Sequence, residues 1–287
     1  MIVMSPRRLT FKPKQSLGQN FLIDDNIVRK TLRHLAPSSD DCFLEIGPGN
    51  GALSHALVPL VKAIALIEID RRIVDELRLQ FKNPNVTIVH EDILKTSFIA
   101  WRKKFRQKFR IVGNIPYHLT SPILFKVIDH TDDIIDCTIM VQREVGQRIV
   151  AKPNTKEYGI LSVLSHFYGS PRILFDVSPE CFYPKPRVTS SIIQLRLHDQ
   201  PRCPVNQELF RRIVRTTFGK RRKTLRNSLH YLPYDEQIIN RMIGMIKFPL
   251  KKRPEELGID DFIMLTQEAE SYLNGIPGSP QAPSIEE

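Results

Sequence analysis

Residues 42–51, CFLEIGPGNG, decide how this chain is read. Cys42 to Ile46 is a short apolar run suited to a buried strand, and the glycine-rich stretch from Gly47 to Gly51 turns the chain. Residues 52–61, ALSHALVPLV, then carry the apolar spacing of a helix. In such a unit backbone amides approach a ligand closely, and the helix N-terminus favours negative charge. Gly47, Gly49 and Ala52 also satisfy a relaxed dinucleotide fingerprint. Taken alone, the turn is compatible with a purely structural role, a nicotinamide site or an S-adenosylmethionine site.

Working outward, AIALIEID (63–70) is a second apolar run, followed by the helix-like RRIVDELRLQF. NVTIVHED (85–92) is a third and FRIVGN (109–114) a fourth. Further strands are predicted at 136–142, 172–177 and 190–197, with helices at 143–151 and 158–167. Seven strands that at first alternate with helices predict an α/β fold with a mostly parallel, doubly wound, Rossmann-like sheet. The strand ends near residues 47, 68, 92 and 114 should line one edge of that sheet, where such folds bind ligands. After residue 203 the pattern is helical throughout, so residues 1–202 are expected to form the α/β domain and 203–275 a small all-α domain. Residues 276–287, with turn formers and no apolar period, are expected to be a disordered tail.

The chain has 287 residues, 41% hydrophobic and 25% charged, which is ordinary globular usage. No apolar run approaches the roughly 20 residues needed to span a bilayer, and the N-terminus lacks the apolar core of a signal peptide, so a soluble cytoplasmic protein is expected. The four cysteines are far apart, which suggests neither a metal site nor a disulfide framework. A net charge of +11 makes nucleic acid the leading partner.

Glu68 ends the second strand about 20 residues beyond Gly47, where a carboxylate accepts hydrogen bonds from two ribose hydroxyls. Asp70 is expected to start the next helix. Asp92, ending the third strand, suits either the amino group of a bound adenine or a cap on the following turn. The stretch GNIPYH (113–118) separates the readings of the glycine turn. An exocyclic adenine amine is a poor nucleophile because its lone pair is delocalised into the ring. Two acceptors aimed at its hydrogens draw the nitrogen toward a tetrahedral geometry. The Asn114 side-chain oxygen and the Ile115 carbonyl supply them, Pro116 fixes φ, and Tyr117 can stack on the base. His118, next in line, reads as a loop histidine. Phe182 lies in a loop stiffened by Pro179, Pro184 and Pro186, where it serves either as the wall of a binding slot or as core packing.

Seven blocks in one order extend this picture: QSLGQNFL (15–22), LEIGPGNG (44–51), EID (68–70), GNIPY (113–117), EYGILSV (157–163), FYPKPRVTSS (182–191) and RRKTLRNSL (221–229). Together they resemble the ribosomal RNA adenine dimethyltransferase family, within the class I S-adenosylmethionine-dependent methyltransferases. The resemblance runs from Gln15 to about Tyr272. It implies that Asn20 and Leu22 cover S-adenosyl-L-methionine, that Gly47 lies beneath it, and that Glu68 and Asp92 bind its ribose and adenine. Asn114 would face both methyl donor and target amine, with Tyr117 and Phe182 on the two faces of an extruded adenine. The implied substrate is two adjacent adenosines in the terminal hairpin of small-subunit ribosomal RNA, within an immature subunit, and the implied enzyme is a monomer.

Three basic clusters are candidates for RNA contact. They are Arg7, Arg8, Lys12 and Lys14; the residues Arg102, Lys103, Lys104, Arg106, Lys108 and Arg110; and Lys220, Arg221, Arg222, Lys223 and Arg226. In the second, Trp101, Phe105 and Phe109 recur every four residues and should pack inward, leaving the charges outside. In the third, Arg211, Arg215, Arg222 and Arg226 share a face of a continuous helix unless Gly219 breaks it. The rival readings are a methyltransferase acting on large-subunit RNA, a non-catalytic assembly factor that keeps the fold, and a dehydrogenase, which explains the glycine turn and nothing after it.

Overall fold

The computed structural model describes residues 12–14, 17–199 and 203–275. The expected tail, together with Arg7, Arg8 and Gln15, lies outside the described residues. The chain divides into two compact units, the first running to Gln147 and resuming at Tyr168–Asp199, the second formed by Arg148–Phe167 and the residues after Asp199. Residues 148–167, placed by the sequence with the α/β domain, thus group with the helices.

In the first unit the chain order is β1 (Phe21–Leu22), α1 (Asp25–Leu35), β2 (Cys42–Ile46), α2 (Ser54–Leu57), β3 (Ala63–Glu68), α3 (Arg71–Gln80) and β4 (Val86–His90). It continues through α4 (Phe98–Phe105), β5 (Phe109–Asn114), α5 (Thr120–Ile128) and β6 (Ile134–Gln142). Helices α6 (Arg143–Val150) and α7 (Ile160–Tyr168) lead across the boundary between the units, and β7 (Gly169–Val177), β8 (Phe182–Tyr183) and β9 (Ser190–Leu197) complete the first.

The main sheet has the order β4-β3-β2-β5-β6-β9-β7. The pairs from β4 to β6 are parallel, and β9 runs antiparallel between β6 and β7. Strand order reverses at β2, whose Ile46 is level with Ile67 of β3 and Gly113 of β5, so a crevice opens beyond the strand ends at that switch point. Every residue of β2 is buried, as are all of β5 but Asn114. With both faces of the sheet covered, the buried residues of these strands are apolar except for Glu45 and Arg110, which are hydrogen-bonded, and burial of each Leu, Ile or Phe contributes roughly 1.5–3 kcal/mol. One face of this core is closed by α1 and α3 through Val28, Leu35, Ile73 and Leu77.

Local chemistry sets the element boundaries. Asp24, Asp70 and Ser97 cap α1, α3 and α4 with side-chain acceptors. The helix expected over 52–61 is one α-turn that tightens into a 3-10 turn at Val58–Leu60, because Pro59 has no N–H to continue it. Trp101, Phe105 and Phe109 are all buried as expected, although Phe109 begins β5. Arg110 departs from the reading of its cluster. It is 8% exposed, with Nε and Nη2 on Asp136, Nη1 on Asp41 at 2.9 Å and Nη2 on the Leu35 carbonyl at 2.8 Å. The two-stranded ribbon of β1 and β8, with Leu22 opposite Phe182, has no counterpart in the sequence expectations because two residues are too few to show a period.

The second unit carries the four further helices α8 (Gln207–Gly219), α9 (Leu225–Leu229), α10 (Glu236–Met245) and α11 (Ile259–Asn274). Phe167 stacks on Phe210 at 4.0 Å, Phe218 lies against Tyr158 and Phe262, and the Tyr158 hydroxyl donates to the Leu257 carbonyl at 2.8 Å. These contacts are why residues 148–167 belong to this unit. The continuous arginine-bearing helix does not form: α8 stops at Gly219, and Thr224 caps a new helix after a turn. Among the described residues, no helix is long and apolar enough to cross a membrane.

Candidate active site

A cleft of about 950 Å³, its solvent-open mouth included, lies at the switch point. It is lined by Gly18 to Leu22, by the β2 end and glycine turn, and by Glu68, Asp92 and Asn114 to Tyr117. Residues separated by almost a hundred positions in sequence meet here because the parallel strands deliver their C-terminal ends to one edge and the segment entering β1 lies against it.

The glycine turn is built for close approach. Gly47 and Gly49 have φ of +63° and +55°, in the left-handed region that side chains disfavour. A Cβ at Gly49 would lie 2.8 Å from the Phe21 ring, so a side chain there would collide with the first strand. The Gly47 N–H is tied to the Ile67 carbonyl at 3.0 Å, which locks the turn to the end of β3.

Glu68, 6% exposed, accepts the Asp70 N–H at 2.9 Å on Oε1. Burial raises its pKa, opposed by backbone N–H groups of Asp70, Gly49 and Ile69. Asp92 accepts the Leu94 N–H at 2.9 Å while lining the cleft, so capping and ligand binding are compatible there. Asp70 caps α3 as expected and is also the centre of a cluster: Arg72 first of all, then Gln19 and Lys14, hold its carboxyl well below the usual carboxylate range.

Asn114 ends β5, and its Nδ2 donates to the Asn20 carbonyl at 2.8 Å. An amide oxygen turned to that carbonyl would repel it, so this bond leaves Oδ1 as an acceptor directed elsewhere. Tyr117 is fixed by its hydroxyl, 2.7 Å from Ser190 Oγ on β9. His118 is exposed. Asn20 and Leu22 both line the cleft, whereas Phe182 does not; it is 3% exposed and packs in the core with Phe21 and Leu22.

Three site residues were missed in the sequence reading. Gln19 and Ser190 lie inside quoted blocks, yet nothing local marks their partners. Glu45 carried a signal, an acid within an all-apolar strand. It is 2% exposed, lines the cleft and accepts the Ser54 hydroxyl at 2.6 Å. Burial pushes its carboxyl up to about 7, with the Ser54 bond opposing and Glu68 reinforcing the rise. The unfolded chain therefore releases this proton near pH 4.5 while the folded chain holds it to about 7. Stability from Glu45 is present below pH 4.5 and is lost as pH rises to about 7. Glu45→Gln is expected to be more stable than the wild type at pH 8 by about 1–3 kcal/mol and to differ little at pH 4.5, as measured by urea unfolding at the two pH values.

In the second unit Arg222, Lys223 and Arg226 are exposed. Lys223 Nζ donates to the Tyr231 hydroxyl at 2.7 Å, and Lys220 lies over the same ring. Arg221 faces protein: it donates to the Thr155 and Lys156 carbonyls and pairs with Glu255 at 3.7 Å.

A family model described as ribosomal RNA adenine dimethylase matches residues 10–266. The chain belongs to that family. Within it, ribosomal RNA small subunit methyltransferase A of Caldanaerobacter subterraneus subsp. tengcongensis is 38% identical over 258 residues, covering 88% of this chain and 96% of that protein. The protein of the same name from Francisella tularensis subsp. novicida is 37% identical over 259 residues, with the same coverage of each chain. Among solved structures, a dimethyladenosine transferase from Plasmodium falciparum superposes with a TM-score of 0.75 at 25% identity, over 88% of this chain and 98% of that one. The 23S rRNA methyltransferase ErmE superposes at 0.64 with 22% identity, over 87% and 99%, a likeness of fold alone. The adenine dimethylase chain thus has a class I methyltransferase sheet followed by a helical region.

Proposed function

We propose that this protein dimethylates the exocyclic N6 amines of two adjacent adenosines in the 3′-terminal hairpin of small-subunit ribosomal RNA, using S-adenosyl-L-methionine. The observation that carries the reading is the meeting, in one cleft, of the glycine turn, Glu68 and Asp92 with Asn114 and Tyr117. Membership in the adenine dimethylase family and the relatives named for the small-subunit enzyme support it.

The cleft suits an adenosyl group on its own chemistry. A turn with no room for a side chain at Gly49 lies beside a carboxylate at the end of β3 and another just beyond β4. In this reading Asn20, Leu22 and Gly47 enclose the cofactor, Glu68 accepts from its ribose hydroxyls, and Asp92 accepts from its adenine amine. When bound, the cofactor supplies an electrophilic methyl on a sulfonium. Asn114 Oδ1 and the Ile115 carbonyl accept from the target amine and orient its lone pair, so alignment carries most of the rate. The attacking amine is neutral and releases its proton after transfer, so no strong base is required of the chain.

Tyr117 stacks on the extruded base, held by Ser190, and Phe182 backs the slot through Leu22, its partner across the ribbon. Tyr117→Ala should slow transfer by about 10–100-fold, from a stacking contribution of about 1–3 kcal/mol. Tyr117→Phe, which keeps the ring and loses only the hydroxyl, should stay within a few-fold of wild type in the same steady-state assay. Arg222, Lys223 and Arg226 meet RNA phosphates, with Arg221 shaping the turn that carries them. The enzyme acts as a monomer in the cytoplasm, on an immature small subunit.

The test is incubation with labelled methyl donor and, separately, under-methylated small subunits, naked small-subunit RNA and large-subunit RNA. Label in adenosines of the small-subunit hairpin is expected. Label confined to large-subunit RNA would replace this reading with the rival specificity, and intact RNA binding with no label would favour an assembly factor.

A further inference from the structure

We infer that Gln19 is a positioning residue for methyl transfer, which acts by seating the backbone carbonyl that orients Asn114. The inference rests on the reading of Asn114 as the residue that faces the target amine. Both ends of the Gln19 carboxamide are engaged: Nε2 donates to Asp70 Oδ2 at 3.1 Å, and Oε1 accepts the Lys14 N–H at 2.7 Å. The anchor is rigid. Asp70 is 2% exposed, caps α3, and takes Arg72 Nη2 at 2.6 Å and Lys14 Nζ at 3.3 Å, while its own N–H donates to Glu68.

The next residue, Asn20, presents its carbonyl to Asn114 Nδ2 at 2.8 Å, and that contact decides which way the Asn114 oxygen points. Beyond Asn20 the chain enters β1 and is held by the ribbon with β8. On the near side, Gln19 links the segment to the corner between β3 and α3, and Gly18, at φ +62°, supplies the bend between. The carbonyl that orients Asn114 is thus held between the ribbon and the Gln19–Asp70 bond, with Asn20 Nδ2 also donating to the Gly18 carbonyl at 3.2 Å. The same anchor holds Glu68 through the Asp70 N–H, so ribose recognition and Asn114 orientation share one support.

The test uses the full-length protein and two readouts. In wild type, the side-chain amide signal of Asn114, assigned as the one lost in Asn114→Asp, should show the slow hydrogen exchange of a bonded NH2 group. In Gln19→Ala that signal should become solvent-averaged, and kcat should fall by about tenfold to a hundredfold with the RNA dissociation constant unchanged. Gln19→Glu places a carboxylate against Asp70 and should be worse than Gln19→Ala. The urea midpoint of Gln19→Ala should stay near that of the wild type, which separates lost orientation from a general loss of stability. An unchanged Asn114 signal or an unchanged kcat in Gln19→Ala would overturn the inference, as would a fall in both that tracks a lowered urea midpoint. Should the wild type label no RNA, the reading of function falls while the Asn114 signal still decides this one.

Discussion

Asn114→Ala is expected to lower methyl transfer by about 10²–10³-fold, the range for removing one preorganised polar contact to a reacting group, while RNA binding persists. On the proposed mechanism the substitution deletes the acceptor for the target amine and leaves its surroundings in place. Gly113, the neighbour on β5, pairs with Ile46 and Ile139 through its backbone, and Asn114 contributes no side chain to the apolar core. The freed Asn20 carbonyl lies at the cleft, where water can satisfy it. Single-turnover labelling at saturating donor, beside an RNA-binding titration, separates the two effects. A rate near wild type would sink the mechanism, because no other side chain at the end of β5 can take the acceptor role.

Arg110→Ala is the substitution expected to cost the most stability, about 3–5 kcal/mol, through one partner's removal from a buried ion pair. Asp136 is 4% exposed and takes Arg110 Nη2 at 2.8 Å; without the arginine its remaining side-chain donor is Gln194 at 3.3 Å. The Leu35 carbonyl at the end of α1 loses a donor in the same step. Urea unfolding followed by the fluorescence of Trp101, the chain's one tryptophan, reports on this unit directly. The paired replacement Arg110→Met with Asp136→Leu should recover part of the loss, since it removes the buried Asp136 charge while part-buried Asp41 and the Leu35 carbonyl still lose their donor. A single variant as stable as wild type would show that the pair is solvated in solution.

These two residues also mark how far the sequence could be read. Asn114 was legible because its pattern is local: the strand ends at this amide, and a proline and an aromatic ring follow within three positions. Gly47, Glu68 and Asp92 were legible for the same reason, each standing where an apolar run stops. Arg110 was read with its neighbours as an outer charge because its cluster looks like a solvated run. Its partners Asp41 and Asp136 are 69 and 26 positions away, and only strand pairing brings them together. Arg221 was misleading in the same manner, since Glu255 and the carbonyls of Thr155 and Lys156 have no sequence mark that ties them to it.

The sequence by itself indicated a doubly wound α/β sheet, the change to helices near residue 203 and the strand-end residues that line the cleft, because periodicity and turn formers act over a few positions. The tertiary structure alone decided which of those residues share a cleft, that Phe182 turns into the core, that residues 148–167 pack with the later helices, and that Gln19 grips Asp70. Each of these depends on contacts between segments far apart in the chain, where the energy of burying or pairing a group is set by a neighbour that no local pattern names.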